Sequence, residues 1–329
     1  MLAVLYSLLE VLIVLVPVLL SVAFMTIIER KVLAGMQRRV GPNVVGYYGT
    51  LQPFADALKL VIKEMVIPQQ ATPSLFFLAP MISLIFSLLG WAVVPFGSGL
   101  TLTDFSLGIL YSMAIGSVSV YGVLWAGWSA NSKYAFIGSL RSTAQMVSYE
   151  LIFSSAVLTV IFMTGSFNII TIVEDQAAVW YVVPLLPLAM VFFISALAET
   201  NRTPFDLPEA ESELVAGFFT EHSAIIFVFF FLAEYCSIVL VSVLTAILFF
   251  GGYVMPELFV NDTFINLQSI ILALKSCLFM FLFVWFRATL PRLRYDQLMQ
   301  FCWLALLPFM IAFIVLIPSL LVAFDIVAA

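Results

Sequence analysis

The sequence predicts an all-α polytopic membrane protein: about eight transmembrane helices, with an interfacial amphipathic helix in the first long loop. Three observations carry that prediction. Of 329 residues, 64% are hydrophobic and only 10% charged, where a soluble domain carries about 25% charged residues. Mean hydropathy is +1.16. The apolar residues also gather into runs of roughly 20 or more, the length needed to cross a hydrocarbon core of about 30 Å.

The first run, 3–28, is too long for a cleavable leader and ends at Glu29-Arg30-Lys31 without a small-residue cleavage site, so it is expected to be a retained span. The others cover about 75–97, 107–128, 143–165, 179–199, 222–251, 268–287 and 300–323. The sixth, at about 30 residues, would be about 45 Å long, so it must tilt, bend or protrude. No internal repeat or linker divides the chain, and 1–329 reads as one membrane domain.

The loop at 29–74 is expected to fold in part. Phe54, Leu58, Val61, Ile62 and Met65 form an apolar face at helical spacing, and Gln52, Asp56, Lys59 and Lys63 the opposite stripe. Pro53 suits a first turn. Such a helix lies in the membrane interface; a surface anchor and the lining of a groove for an amphipathic ligand both fit it.

Charge fixes the expected orientation. The loops after spans 1, 3, 5 and 7 hold twelve of the 13 basic residues, and only Lys275, expected to snorkel, lies elsewhere. The opposite loops carry Asp104, Glu174, Asp175, Glu257 and Asp262 and no base. The basic side is therefore expected to face cytoplasm or matrix, with both termini outward. Cys236, Cys277 and Cys302 lie inside apolar runs without a CxxC, and His222 is the single histidine. A bound cluster, zinc or haem in this chain is not expected.

The chemistry-bearing residues are acids. Between spans 5 and 6 stands Glu199-Thr-Asn-Arg202-Thr-Pro204-Phe-Asp206-Leu-Pro208-Glu209-Ala-Glu211-Ser-Glu213. The prolines interrupt any through-running helix. Glu209 and Glu213, four apart, share a helix face. Like charges so placed repel, and burial disfavours ionisation, which suits them to take up and release protons. Arg202 is the expected counter-charge of Glu199; a solvated acidic loop is the plainer alternative. Glu150, beside Tyr149, Glu199, Glu221 and Glu234 fall within or at the edges of spans 4, 5 and 6, where a central charge costs roughly 2.5–3.5 kcal/mol. They are expected to face the bundle interior as a proton path, the alternative being helix-packing hydrogen bonds by neutral acids. Arg287, Arg292 and Arg294 fit lipid headgroups, an acidic partner protein or the lining of an anionic passage. His222 beside Glu221 fits a pH-sensitive pair or a hydrogen-bonded helix start.

Six ordered stretches then resemble one family. They are Glu29-Arg-Lys31 with Gln37-Arg-Arg39-Val-Gly41-Pro42-Asn43; Gly49-Thr-Leu-Gln52-Pro53-Phe-Ala-Asp56 through Lys63-Glu64; Asn131-Ser-Lys133-Tyr-Ala135; Arg141 through Ser148-Tyr149-Glu150; Ala198-Glu-Thr-Asn-Arg202 through Glu213-Leu-Val-Ala-Gly217; and Arg287-Ala-Thr-Leu-Pro-Arg292 with Tyr295-Asp-Gln-Leu298. The chain resembles subunit 1 of proton-translocating NADH:quinone oxidoreductase, respiratory complex I, and the run Glu221-His222 through Glu234-Tyr235 is similar to its mitochondrially encoded fungal members. No charged motif position departs from the family pattern; Thr50 and Phe54 resemble ordinary variation.

The resemblance implies a subunit with no redox centre or catalytic residue of its own. Ubiquinone is the substrate; FMN, NADH and iron–sulfur clusters belong to partner subunits. It implies a quinone tunnel lined by Arg30, Phe54, Asp56, Arg287, Arg292 and Arg294. It implies proton coupling through Tyr149, Glu150, Glu199, Arg202, Asp206, Glu209, Glu211, Glu213, Glu221 and Glu234. Implied partners are peripheral-arm subunits, including the one with the terminal cluster, the small and antiporter-like membrane subunits, and lipids, but no nucleic acid. The implied location is the mitochondrial inner membrane, or a bacterial plasma membrane. Two alternatives remain: a free-standing proton or cation transporter, against which the missing repeat counts, and the equivalent subunit of a membrane-bound hydrogenase.

Overall fold

The computed structural model describes residues 2–206, 216–256 and 267–325. Among them every regular element is helical, and seven helices are long and apolar enough to cross a membrane. An eighth, α7 (Leu186–Glu199), is apolar but shorter.

Helix α1 (Leu2–Met36) runs past the expected end of span 1 and carries Glu29-Arg30-Lys31 in its later turns. Glu, Arg, Lys, Leu and Ala are good helix formers, so the chain has no reason to break before Gly35. The amphipathic helix α2 (Gln52–Ile62) forms with Pro53 in its first turn and ends before Lys63 and Met65. Its apolar side chains Phe54, Leu58, Val61 and Ile62 are exposed, and Phe54 meets Phe24 of α1 edge to face at 6.2 Å.

Helices α3 (Pro73–Leu89, continued by a 3-10 turn over Gly90–Val93), α4 (Gly108–Ala130) and α5 (Lys133–Thr164) pack as consecutive neighbours. Small residues let their backbones approach. A Cβ on Gly122 would lie 2.0 Å from Ser83 Oγ of α3, and one on Gly127 2.0 Å from Ser139 Oγ of α5. Asn131, left-handed at φ 50°, turns α4 into α5. The expected loop before span 4 is thus helix: Lys133 and Arg141 ride on α5, which begins ten residues ahead of the predicted 143.

After α5 the short α6 (Ile169–Asp175) leads to α7, which starts seven residues after the predicted 179. Pro184 lacks an N–H and biases Val183 away from the helical region. Pro187 falls in the first turn of α7, where it is tolerated. At 14 residues α7 is about 21 Å long.

Helix α8 (Ile225–Phe249) is shorter than the predicted 222–251. Ala224 (φ 57°) bounds it on one side and Gly251 (φ 69°) and Gly252 (φ 51°) on the other. From Tyr235 to Phe249 nearly every side chain is buried, the mark of a helix apolar all round and placed at the centre of a bundle. Helix α9 (Gln268–Thr289) packs on α8 and α1. Helix α10 (Tyr295–Ala323) starts before the predicted 300 and loosens to a π-helical stretch at Phe301–Leu306, where Pro308 offers no N–H to the preceding turn.

The turns gather at two ends. At one, Thr72 N–H donates to Ser129 O, Val66 N–H to Ser223 Oγ, and Leu293 N–H to Pro204 O. At the other, Ser98 donates to Gln268 Oε1, Asn168 Nδ2 to Asp104, and Gly251 N–H to Gln176 Oε1. Lys275 does not snorkel to water. Its ammonium donates to the carbonyls of Phe250, Gly252 and Val254 at 2.6, 2.8 and 2.9 Å, and lies over the Trp180 ring.

Candidate functional site: a buried charge cluster and two acidic cavities

Four elements converge at the basic end, and their charges meet inside. Glu29, late in α1, is 5% exposed and is the hub. One of its oxygens accepts from Arg202 Nη1 at 3.3 Å and from Arg287 Nη1, and the other accepts the hydroxyl of Tyr235. Arg202, also 5% exposed, places Nε 3.0 Å from Glu234 and its guanidinium 4.5 Å over the Tyr235 ring. The space among Glu29, Arg202 and Arg287 is about 10 Å³, room for one water at most. Burial works against charge on Arg202, but Glu234, Tyr235 and Glu29 outweigh it and hold the guanidinium protonated. The cluster is acceptable in an apolar surround because each charge has an opposite neighbour at hydrogen-bonding distance.

The segment bearing Arg202 is held from α5. Buried Gln145 donates through Nε2 to the carbonyls of Ala198 and Phe205. Asp206 pairs with Arg292 at 3.1 Å. Tyr149, fully buried, donates to Leu298 O and packs on the Phe205 ring at 5.3 Å.

Two cavities open beside the cluster. The first, about 90 Å³, is lined by Glu234, Asp206 and Glu199 with Ser83 and Ser237. The second, about 60 Å³, is lined by Glu199, Glu150, Ser112 and Ser119. Glu199 borders both, and each holds room for a few waters. Ser117 hydroxyl donates to Glu150, and Glu199 Oε2 is buried with no hydrogen-bond partner among the described residues. The acids thus stand in the order Glu29, Glu234, Glu199, Glu150, joined first by Arg202 and then by the two cavities.

Several sequence expectations change. Arg202 is not the counter-charge of Glu199; it bridges Glu29 and Glu234. A three-residue offset at a helix end does not set the partner, because the chain leaves α7 after Glu199 and Asn201 turns left-handed at φ 50°. His222 does not pair with Glu221. Its ring stacks on Phe76 at 4.3 Å and meets Phe230 edge to face at 5.2 Å. Burial pushes its imidazole down to about 4, opposed by the Phe218 carbonyl. Glu221 sits half-buried on the turn before α8. The three arginines separate: Arg287 joins the cluster, Arg292 holds Asp206, and Arg294 stands at the start of α10, its backbone N–H donating to Gln297 Oε1. Arg30 pairs with Asp56 at 2.6 Å on the surface, and Gln52 donates to the same carboxylate. Glu209, Glu211 and Glu213 lie outside the described residues.

Glu29 and Tyr235 are members of the site that the sequence pattern does not single out. Glu29 reads as a flanking charge at the end of a span and Tyr235 as one more aromatic. The available signal was the pairing of Glu29 with two adjacent bases at the mouth of an apolar run.

Comparison with known proteins shows the family. The NADH dehydrogenase family model matches residues 9–318. The chain belongs to the NADH dehydrogenase family. It is 73% identical over 328 residues to NADH-ubiquinone oxidoreductase chain 1 of Mycosarcoma maydis, covering 99% of both chains. It is 54% identical over 358 residues to the chain of that name from Podospora anserina, covering 98% of both. It is 51% identical over 332 residues to that from Yarrowia lipolytica, covering 97% of both. As a family member the chain is a multi-pass membrane subunit of an oxidoreductase complex.

Proposed function

We propose that this chain is the membrane subunit of NADH:ubiquinone oxidoreductase that, with the peripheral arm, forms the ubiquinone tunnel and passes the effect of quinone reduction to a buried proton path. Its setting is the mitochondrial inner membrane, as one membrane domain with both termini on the intermembrane side and its basic loops in the matrix. The single observation that carries the reading is Arg202, held between Glu29 on one side and cavity-lining Glu234 on the other.

The tunnel wall takes Arg30, Phe54 and Asp56 from α2 and its neighbour, and Arg287, Arg292 and Arg294 from the segment joining α9 to α10. Ubiquinone supplies the redox chemistry, while clusters, FMN and NADH belong to the arm. This chain's residues sense charge. Two unit charges about 4 Å apart interact by about 4 kcal/mol at an effective dielectric of 20, well above thermal energy. A change of charge near Arg287 and Glu29 therefore alters how Arg202 divides its field between Glu29 and Glu234. Glu234 faces the first cavity, from which protons move by way of Glu199 to Glu150 and the antiporter-like subunits. Glu209, Glu211 and Glu213 supply acids along the loop that faces the quinone.

The test is Glu199→Gln and Glu213→Gln in the assembled complex, with NADH-driven quinone reduction and proton pumping measured together. Loss of either activity is expected; unchanged turnover and unchanged pumping would sink the mechanism. A chain that purifies alone at 36.5 kDa would instead point to a free-standing transporter.

A further inference from the structure

A second cavity system lies at the other end of the molecule. It is a groove of about 620 Å³ between α1, α8 and α9, capped by the segment after α3, within the range of small-molecule sites. Its walls are apolar, with Ile13, Pro17, Phe96, Val243, Leu272 and Met280 among them, and among the described residues its one charged lining residue is Glu10. Glu10 is exposed and makes no ion pair or hydrogen bond among the described residues.

Register places this groove in the bilayer. Helices α1 and α9 run parallel, tied near their C-terminal ends by the Glu29–Arg287 pair. Counting nineteen residues back along each from that pair reaches Glu10 and Gln268. At about 1.5 Å per residue that is about 28 Å, close to the hydrocarbon thickness of about 30 Å. Glu10 therefore stands at the headgroup level opposite the cluster. From there the groove runs to Ser21 and Met280, about 16 Å further in, the depth of one leaflet.

We propose that this groove holds one ethanolamine-headed phospholipid, its chains along the wall and its primary ammonium on Glu10. The Glu10 carboxylate at the mouth favours a cationic headgroup, and a primary ammonium, unlike choline, donates directly to a carboxylate. The hydroxyls of Thr101 and Ser269 line the groove and are donors for the phosphate. A net-anionic lipid is disfavoured. Among the described residues the groove has no basic lining residue, Lys275 is committed to three carbonyls, and Asp104, Glu174 and Asp175 stand at the same end.

Cys277 reports occupancy, because it is exposed and lines the groove while Cys236 and Cys302 are buried. The assembled complex is placed in nanodiscs of phosphatidylcholine alone, or with phosphatidylethanolamine or phosphatidylglycerol added, and alkylation of Cys277 by a lipid-soluble maleimide is followed by mass spectrometry. Ethanolamine lipid is expected to slow alkylation by at least about tenfold, the factor equivalent to about 1.4 kcal/mol, and phosphatidylglycerol is expected not to. Glu10→Gln is expected to abolish the difference, and Leu272→Trp, which fills the groove, to slow alkylation in every lipid. Equal rates in the three compositions overturn the proposal. So does a Cys277 unreactive in all of them, which would mean a neighbouring subunit covers this face. Protection that survives Glu10→Gln overturns the headgroup assignment. The composition series on the unaltered complex stands even if a variant fails to assemble.

Discussion

Glu29 concentrates more of the site's electrostatics than any other described residue, because two arginines and a tyrosine all address its carboxylate. Removing one member of a buried ion pair costs about 3–5 kcal/mol, since the partner is left buried and uncompensated. Glu29→Gln is expected to lower the thermal midpoint of the assembled complex more than Tyr235→Phe, which removes one hydrogen bond to a charged group, worth about 1.5–3 kcal/mol. Equal shifts for the two would show that the carboxylate's charge is not what holds the arginines. His222 gives a pH-dependent case. Its ordinary value is 6.5 and burial takes it to about 4. The unfolded chain therefore binds more protons between those values, so the contribution of neutral His222 is whole above about pH 6.5 and is lost as pH falls toward 4. His222→Phe keeps an aromatic ring against Phe76 and removes the titration. Its stability relative to the native chain is expected to rise as pH drops from about 7 to about 5, read as the difference in thermal midpoints. Parallel pH curves would rule this out.

Among the elements, α2 and the α4–α5 contact respond to substitution for different reasons. The Arg30–Asp56 pair is exposed on both sides, at 46% and 36%, and such pairs contribute about 0–1 kcal/mol. Asp56→Asn is therefore expected to leave the amount of assembled complex unchanged while raising KM for short-chain quinones, if the pair positions α2 on the proposed tunnel wall. A change in complex content with an unchanged KM would make the pair structural. The α4–α5 contact has no such slack. A Cβ on Gly127 would meet Ser139 Oγ at 2.0 Å and the Ala135 carbonyl oxygen at 2.7 Å, and a backbone oxygen cannot turn away as a side chain does. Gly127→Val is expected to cost about 1–3 kcal/mol or more through overpacking, seen as reduced complex on native gels. Full assembly would show that the two helices separate freely.

On the scale of the whole molecule, charge segregation makes the orientation testable. A cysteine placed at Asn43 or Arg294 is expected to react with an impermeant thiol reagent only from the matrix side, and one placed at Ser98 only from the intermembrane side; the reverse pattern would invert the topology. The same large-scale features were the most legible in the sequence. Runs of about 20 apolar residues announce spans, because the bilayer imposes a length and a composition. Helix limits were less legible wherever a charged segment stayed helical, as at Glu29 to Met36 and Lys133 to Arg141, or where Pro184 and Pro187 delayed a start. The acids of the site were visible because charge within an apolar run is rare. Their partners were not, because Arg202 reaches Glu29 across 173 positions and only the packing of four elements brings them together.

Helix α7 is about 9 Å too short to cross a hydrocarbon layer of about 30 Å, and the non-helical turns before it make up the difference. Lipid offers no hydrogen bonds, so irregular backbone at that depth must stay covered by protein throughout turnover. The cover here is Gln176, which bridges Ile172 and Ile247 and accepts from Gly251 N–H, together with the Val182 N–H bond to Phe249 O. This corner is therefore expected to pin one end of α7 in place, at the end away from Glu199.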